Sequence, residues 1–171
     1  AGIEALDGTA TKPLVVQSPV TISAAAGDAA IEVAPPTTTG LRVHYSVEYP
    51  GSPIPPQQYG VAVTPQRYRE EVAAARTFLL EEEARKLQQD GVGLTVTTQD
   101  LIVFGENGPI ENELRWPNEC ARHKILDIIG DLSLSGRPFH GDIVAHRSGH
   151  GLNAEVLTAV LEAETRMPGV H

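Results

Sequence analysis

His123-Lys124-Ile125-Leu126-Asp127-Ile128-Ile129-Gly130-Asp131-Leu132 is the stretch that decides how this chain is read. Ile125, Ile128, Ile129 and Leu132 recur at the spacings of one helical face, with Leu126 flanking it. His123, Asp127 and Asp131 recur at i, i+4 and i+8. Four residues advance a helix by about 400°, so these three side chains run along one slowly drifting stripe. Pro117 suits the opening of this helix, and the pattern predicts that it ends near Gly136.

The flanks show what the helix packs on. Downstream, residues 142–145 predict a short strand and residues 152–165 a last amphipathic helix carrying Leu152, Val156, Val160 and Leu161. Upstream, residues 14–22, 29–34 and 41–49 are rich in β-branched side chains, and residues 42–49 alternate as a half-buried strand does. Gly27-Asp28, Pro35-Pro36 and Gly40 separate these segments, and residues 51–60, with Pro53, Pro55 and Pro56, predict a loop. Thr64-Pro65 predicts a helix start, with Val72, Ala75 and Leu79 as one face. A second helical stretch over residues 81–89 stops at Asp90-Gly91. Residues 94–104 predict a strand centred on Leu101-Ile102-Val103-Phe104, followed by a turn at residues 106–109. This order predicts an α+β fold, a two-layer sandwich of helices on a mostly antiparallel sheet.

Composition narrows the function. The chain has 171 residues, 41% of them hydrophobic, enough for one cored domain. A net charge of −9 argues against nucleic acid as the main ligand, since phosphates need a basic footprint. A single cysteine, Cys120, excludes a disulfide framework and a cysteine-rich zinc finger. No apolar run reaches the roughly 20 residues of a membrane span, and no leader pattern is visible. The expectation is a soluble cytoplasmic protein without a transmembrane segment.

Three clusters carry candidate chemistry. His123 and Asp127, one helical turn apart, suit a shared metal ion, because imidazole and carboxylate are both zinc ligands. An amphipathic helix with a solvated His–Asp pair explains the same spacing. In Ser148-Gly149-His150-Gly151-Leu152-Asn153 a histidine flanked by glycines precedes a helix. That suits close approach to a ligand or, equally, an exposed histidine in a Gly-rich loop. Thr77, in Arg76-Thr77-Phe78 at a break between helical stretches, suits either an oxyanion donor or a helix cap. Cys120 reads as a packing residue and Trp116 as a hydrophobic staple. His44, His140, His146 and His171 have no partner at a telling spacing.

Taken together, Arg76-Thr77-Phe78, the block from His123 to Leu132 and Ser148-Gly149-His150-Gly151-Leu152-Asn153 resemble the signature segments of the UDP-3-O-acyl-N-acetylglucosamine deacetylase family, the zinc enzymes of lipid A biosynthesis in Gram-negative bacteria. Asp7-Gly8-Thr9-Ala10 resembles a segment near the end of that family's first domain. The resemblance implies a Zn2+ cofactor held in part by His123 and Asp127. It implies Asp131 as the carboxylate that orients the catalytic His150, Lys124 near the reacting end of the substrate, and Thr77 as the oxyanion donor. Phe78 would lie beside the sugar nucleotide, and Arg147 would meet a substrate phosphate.

The departures from the family pattern are as informative. The family's third zinc ligand and general base lie upstream of the Asp-Gly-Ser-Ala segment, and only six residues precede Asp7 here, none of them histidine. Glu4 stands in no matching motif. The expectation is therefore an incomplete part of the enzyme, inactive alone. Residues 1–12 would be a remnant of the first domain and 13–171 the second, with a missing first-domain segment as partner. Leu94-Thr95-Val96-Thr97 and the acidic Glu81-Glu82-Glu83 depart from the family's acyl-passage sequences. Those three glutamates should face solvent if acyl binding is kept. The competing function is a non-catalytic UDP-sugar or acyl-binding module that has lost the metal.

Overall fold

The computed structural model describes residues 11–93 and 95–166. The expected remnant at 1–12, with Asp7-Gly8-Thr9-Ala10, falls almost wholly outside the described residues, as do Leu94 and His171.

A mixed, mainly antiparallel sheet is built from β1 (Leu14–Val15), β2 (Val20–Ser23), β3 (Ala30–Ala34), β4 (Leu41–Val47), β5 (Gln57–Val63) and β9 (Phe139–His146). The order is β2-β3-β9-β4-β5, with β1 pairing the start of β9. β9 runs parallel to β4 and antiparallel to β3, in register Val43↔Ile143 and Ile31↔Ala145. One face of the sheet is apolar by alternation. Val43, Tyr45 and Val47 are buried on β4, as are Phe139, Ile143 and Ala145 on β9. Helices α3 (Glu119–Ser133) and α4 (His150–Thr165) lie on that face and contribute Ile125, Ile128, Leu132, Val156 and Val160 to one core. The structure is thus the expected α+β sandwich. Gly141 is required within it, because a Cβ there would stand 2.8 Å from Val16 Cγ2.

The segment between β5 and α3 forms a second, small sheet. After α1 (Pro65–Arg67) and a π-helical turn (Tyr68–Val72), the chain extends into β6 (Thr77–Leu80). It then turns through α2 (Glu81–Gln89) and returns as β7 (Leu101–Gly105), parallel to β6, and β8 (Gly108–Pro109).

Several sequence expectations are corrected. Val72, Ala75 and Leu79 do not share a helical face, because pairing of Thr77–Leu80 with β7 turns Leu79 into a strand residue. The expected loop at residues 51–60 ends early, since Gln57 already pairs with Val47 in β5. Of the strand expected over 94–104, the described residues 95–100 are not strand and the strand is Leu101–Gly105; Asp100 Oδ2 accepts bonds from the Thr97 amide and hydroxyl and closes a turn ahead of it. The segment around residues 142–145 is no minor strand but the eight-residue centre of the sheet. α3 starts two residues later than Pro117, and α4 begins at His150 rather than Leu152.

Candidate functional site

α3 projects its polar stripe away from the core along one wall of a cavity of about 440 Å³. Thr77, Phe78, Leu79 and Leu80 of β6 line the opposite side with Tyr49, Ser52 and Ile54, and His123, Lys124, Asp127 and His150 complete it. The small sheet is therefore what brings Thr77 and Phe78 to the α3 stripe.

His123 and Asp127 converge rather than diverge. His123 Nε2 lies 3.3 Å from Asp127 Oδ1, and both side chains are largely shielded, at 14% and 12% exposure. Two donors bound to one tetrahedral zinc at ~2.1 Å stand roughly 3.4 Å apart, so this donor pair fits a shared ion. The other ring nitrogen, Nδ1, faces the Ala75 carbonyl at 3.1 Å. A carbonyl only accepts, so the geometry places a hydrogen on Nδ1, and Nε2 is the nitrogen turned to Asp127. Phe78 meets the same ring edge-to-face at 6.3 Å. Asp127 Oδ2 accepts a bond from Lys124 Nζ at 2.7 Å, which leaves Oδ1 as the oxygen aimed at His123. Among the described residues no third His, Cys, Asp or Glu joins this pair in a metal-sized group.

His150 reaches the cavity from the first turn of α4 and is widely exposed. Its Nδ1 lies 3.0 and 2.9 Å from the two carboxylate oxygens of Asp131. Asp131 Oδ2 also accepts from Asn153 Nδ2 at 2.8 Å, and Asn153 is fully buried. Asn153 went unread in the sequence as anything but part of a motif; its spacing of three from His150 on one helix was the available signal.

Arg147 sits at the turn into α4 with a positive φ of 51°. Its guanidinium pairs with Asp28 at 3.1 Å and stacks over the Tyr49 ring at 5.0 Å. Thr77 is exposed at the cavity edge, in a strand rather than at a helix cap. Glu82 and Glu83 are exposed as expected, Glu83 at the cavity rim with Oε2 accepting from the Leu80 amide at 2.8 Å, while Glu81 is partly buried. Burial pushes the Cys120 thiol up to about 12, in keeping with a packing role. Trp116 is not a simple staple: Arg122 is stacked over both it and Tyr59, at 4.7 and 3.8 Å to the ring centres.

Arg76, next to Thr77 in the chain, joins an ion pair that no sequence signal announced. Glu119, fully buried, takes Arg76 Nε on Oε1 at 2.9 Å and Arg76 Nη2 on Oε2 at 3.1 Å. Oε1 also accepts from the Arg76 amide at 3.0 Å, and Oε2 from the Arg115 amide at 2.6 Å. Burial pushes the Glu119 carboxyl upward, but the bonds from Arg76 and Arg115 outweigh it and hold the group below the usual carboxylate range.

The family model of UDP-3-O-acyl N-acetylglycosamine deacetylase matches residues 1–162. A UDP-3-O-acyl-N-acetylglucosamine deacetylase of Chlamydia abortus is 42% identical over 124 residues, 71% of this chain and 44% of the relative. One from Syntrophus aciditrophicus is 35% identical over 90% of this chain and 48% of the relative. One from Leptospira biflexa is 30% identical over 96% and 53%. The chain spans about half the length of these relatives. By the match over residues 1–162 and these identities, the chain belongs to the UDP-3-O-acyl-N-acetylglucosamine deacetylase family.

Proposed function

We propose that this chain is the α3–α4 part of a zinc-dependent enzyme that hydrolyses the N-acetyl amide of UDP-3-O-acyl-N-acetylglucosamine, a cytoplasmic step of lipid A biosynthesis. The carrying observation is the 3.3 Å approach of His123 Nε2 to Asp127 Oδ1 on the wall of a cavity that also holds Thr77 and His150. His123 and Asp127 would hold the ion, with a third ligand and a general base supplied from outside the described residues. Zinc, when bound, supplies the electrophile for the amide carbonyl and acidifies a water.

The remaining roles belong to the chain's own groups. The Ala75 carbonyl fixes the His123 ring, and Lys124 occupies the Asp127 oxygen that does not face it. The Thr77 hydroxyl donates to the charge that develops on the amide oxygen. His150 delivers a proton to the departing amine, and Asp131 orients the ring and balances its positive charge. Phe78 and the apolar cavity wall receive the sugar and the acyl group. Arg147 contacts a substrate phosphate only by giving up its pair with Asp28.

The test is metal analysis and turnover of the complete protein. The unaltered enzyme should hold about one zinc per chain, and His123→Ala and Asp127→Ala should each lose both zinc and turnover. Normal hydrolysis by either variant overturns the assignment. The apolar lining by Tyr49, Ile54, Phe78, Leu79 and Leu80 also suits one other reading, a non-catalytic UDP-sugar or acyl-binding module. That reading predicts uridine-sugar binding with neither zinc nor turnover.

A further inference from the structure

The Ala75–Arg76 peptide group touches α3 twice. Its N–H donates to Glu119 Oε1 at 3.0 Å, and its C=O faces His123 Nδ1 at 3.1 Å. Glu119 and His123 are one helical turn apart, so a single planar unit spans the two side chains. We infer that Glu119 is a positioning residue for His123, acting through this peptide group.

The physical argument has two parts. A carboxylate bonded to a peptide N–H polarises that peptide and makes its carbonyl a stronger acceptor. The stronger acceptor holds a hydrogen on Nδ1 and so keeps the ring turned with Nε2 toward Asp127. Metal-binding histidines commonly lean on a carboxylate or a carbonyl in this way; here a peptide bond is interposed between the two.

Geometry supports a dedicated role for the carboxylate. Glu119 is fully buried and accepts four bonds, two from backbone amides and two from the Arg76 fork. The fork also binds the Glu113 carbonyl at 2.7 Å and Asn112 Oδ1 at 2.8 Å, which fixes the strand that begins at Thr77. Arg76 thus anchors the segment, while Glu119 alone reaches the peptide N–H that backs His123.

The experiment uses the complete, 15N-labelled protein without metal, with the His123 ring signals assigned by their loss in His123→Gln. The unaltered protein should show hydrogen on Nδ1, facing the Ala75 carbonyl. Glu119→Gln should shift the ring toward a mixture with a form that has no hydrogen on Nδ1. Arg76→Lys keeps the residue-76 amide, so it should lower thermal stability and leave the tautomer in place. If both variants alter the ring in proportion to lost stability, the role is merely structural and the inference falls. If Glu119→Gln does not fold, the unaltered protein still decides: a ring without hydrogen on Nδ1 there overturns the inference, and hydrogen on Nδ1 that survives Arg76→Lys upholds it.

One consequence rests on the zinc reading above: chelator competition should show zinc bound about 10- to 100-fold more weakly by Glu119→Gln. Zinc bound through His123 with hydrogen on Nε2 would sink the relay and leave the proposed function standing. No zinc in the unaltered protein, with the Nδ1–H form dependent on Glu119, would do the reverse.

Discussion

Asp131 receives the Nδ1 of His150 between its two carboxylate oxygens, at 3.0 and 2.9 Å, and so ties the first turn of α4 to the last turns of α3. The contact leaves Nε2 of His150 as the nitrogen free for substrate. His150→Ala in the complete protein should therefore lower kcat by about 10²- to 10⁴-fold while zinc content stays near one per chain. Loss of zinc with this change would place His150 among the metal ligands instead.

Asn153 supports that pair from below, through its bond to Asp131 Oδ2. Asn153→Leu removes the donor within a buried site. It should lower kcat more than it changes KM and cost about 1–3 kcal/mol of stability, read by steady-state kinetics and thermal melting. Unchanged kcat would show that Asp131 needs no second donor.

Thr77 stands at the cavity edge with its hydroxyl available to a ligand. Thr77→Val keeps the shape and the strand propensity. Turnover should fall by about 10²- to 10³-fold, with KM little changed. A rise in KM alone would assign Thr77 to ground-state binding.

Glu119 makes stability depend on pH. Its carboxyl lies below the usual range in the folded chain, so the unfolded chain binds the extra proton first. Stability from this group is therefore present above the unfolded value of about 4.3 and is lost as pH falls through the folded value. Melting temperature should drop steeply below about pH 4, and the acid limb should flatten in Glu119→Gln. Arg76→Ala, which strands a buried carboxylate, should cost about 3–5 kcal/mol at neutral pH.

Gly141 predicts a packing defect independent of the site. In Gly141→Ala the new methyl meets Val16 Cγ2 at 2.8 Å and Phe139 Cε1 at 3.1 Å. The cost should be about 1–3 kcal/mol by denaturant unfolding, without effect on zinc affinity. A neutral result would mean that β1 moves freely on β9.

The two ends of the chain were not equally legible. The α3 pattern stood out because both its apolar face and its polar stripe keep helical periods, and β4 showed itself by alternation. His123, Asp127, Asp131 and His150 could be named because motif spacing survives in the sequence. β6 could not be foreseen. Thr77–Leu80 carries no alternation, and its strand state comes from pairing with Leu101–Gly105 across α2. Glu119 escaped for a related reason: a charged residue at a helix start reads as solvated, and only the partner 43 positions away explains its burial. Arg147 shows the opposite limit. The motif implied its phosphate contact, whereas its engagement with Asp28 and Tyr49 is a matter of loop geometry.

α3 has no side-chain cap from its own Asn118. Gln57 Oε1, on β5, accepts from the Cys120 and Ala121 amides at 2.9 and 3.3 Å instead. The helix that carries His123 and Asp127 is thus finished by a strand some 60 residues earlier. The start of this helix is therefore complete only when the edge strand β5 is in place beside it, which couples the seating of His123 and Asp127 to the closing of the sheet edge.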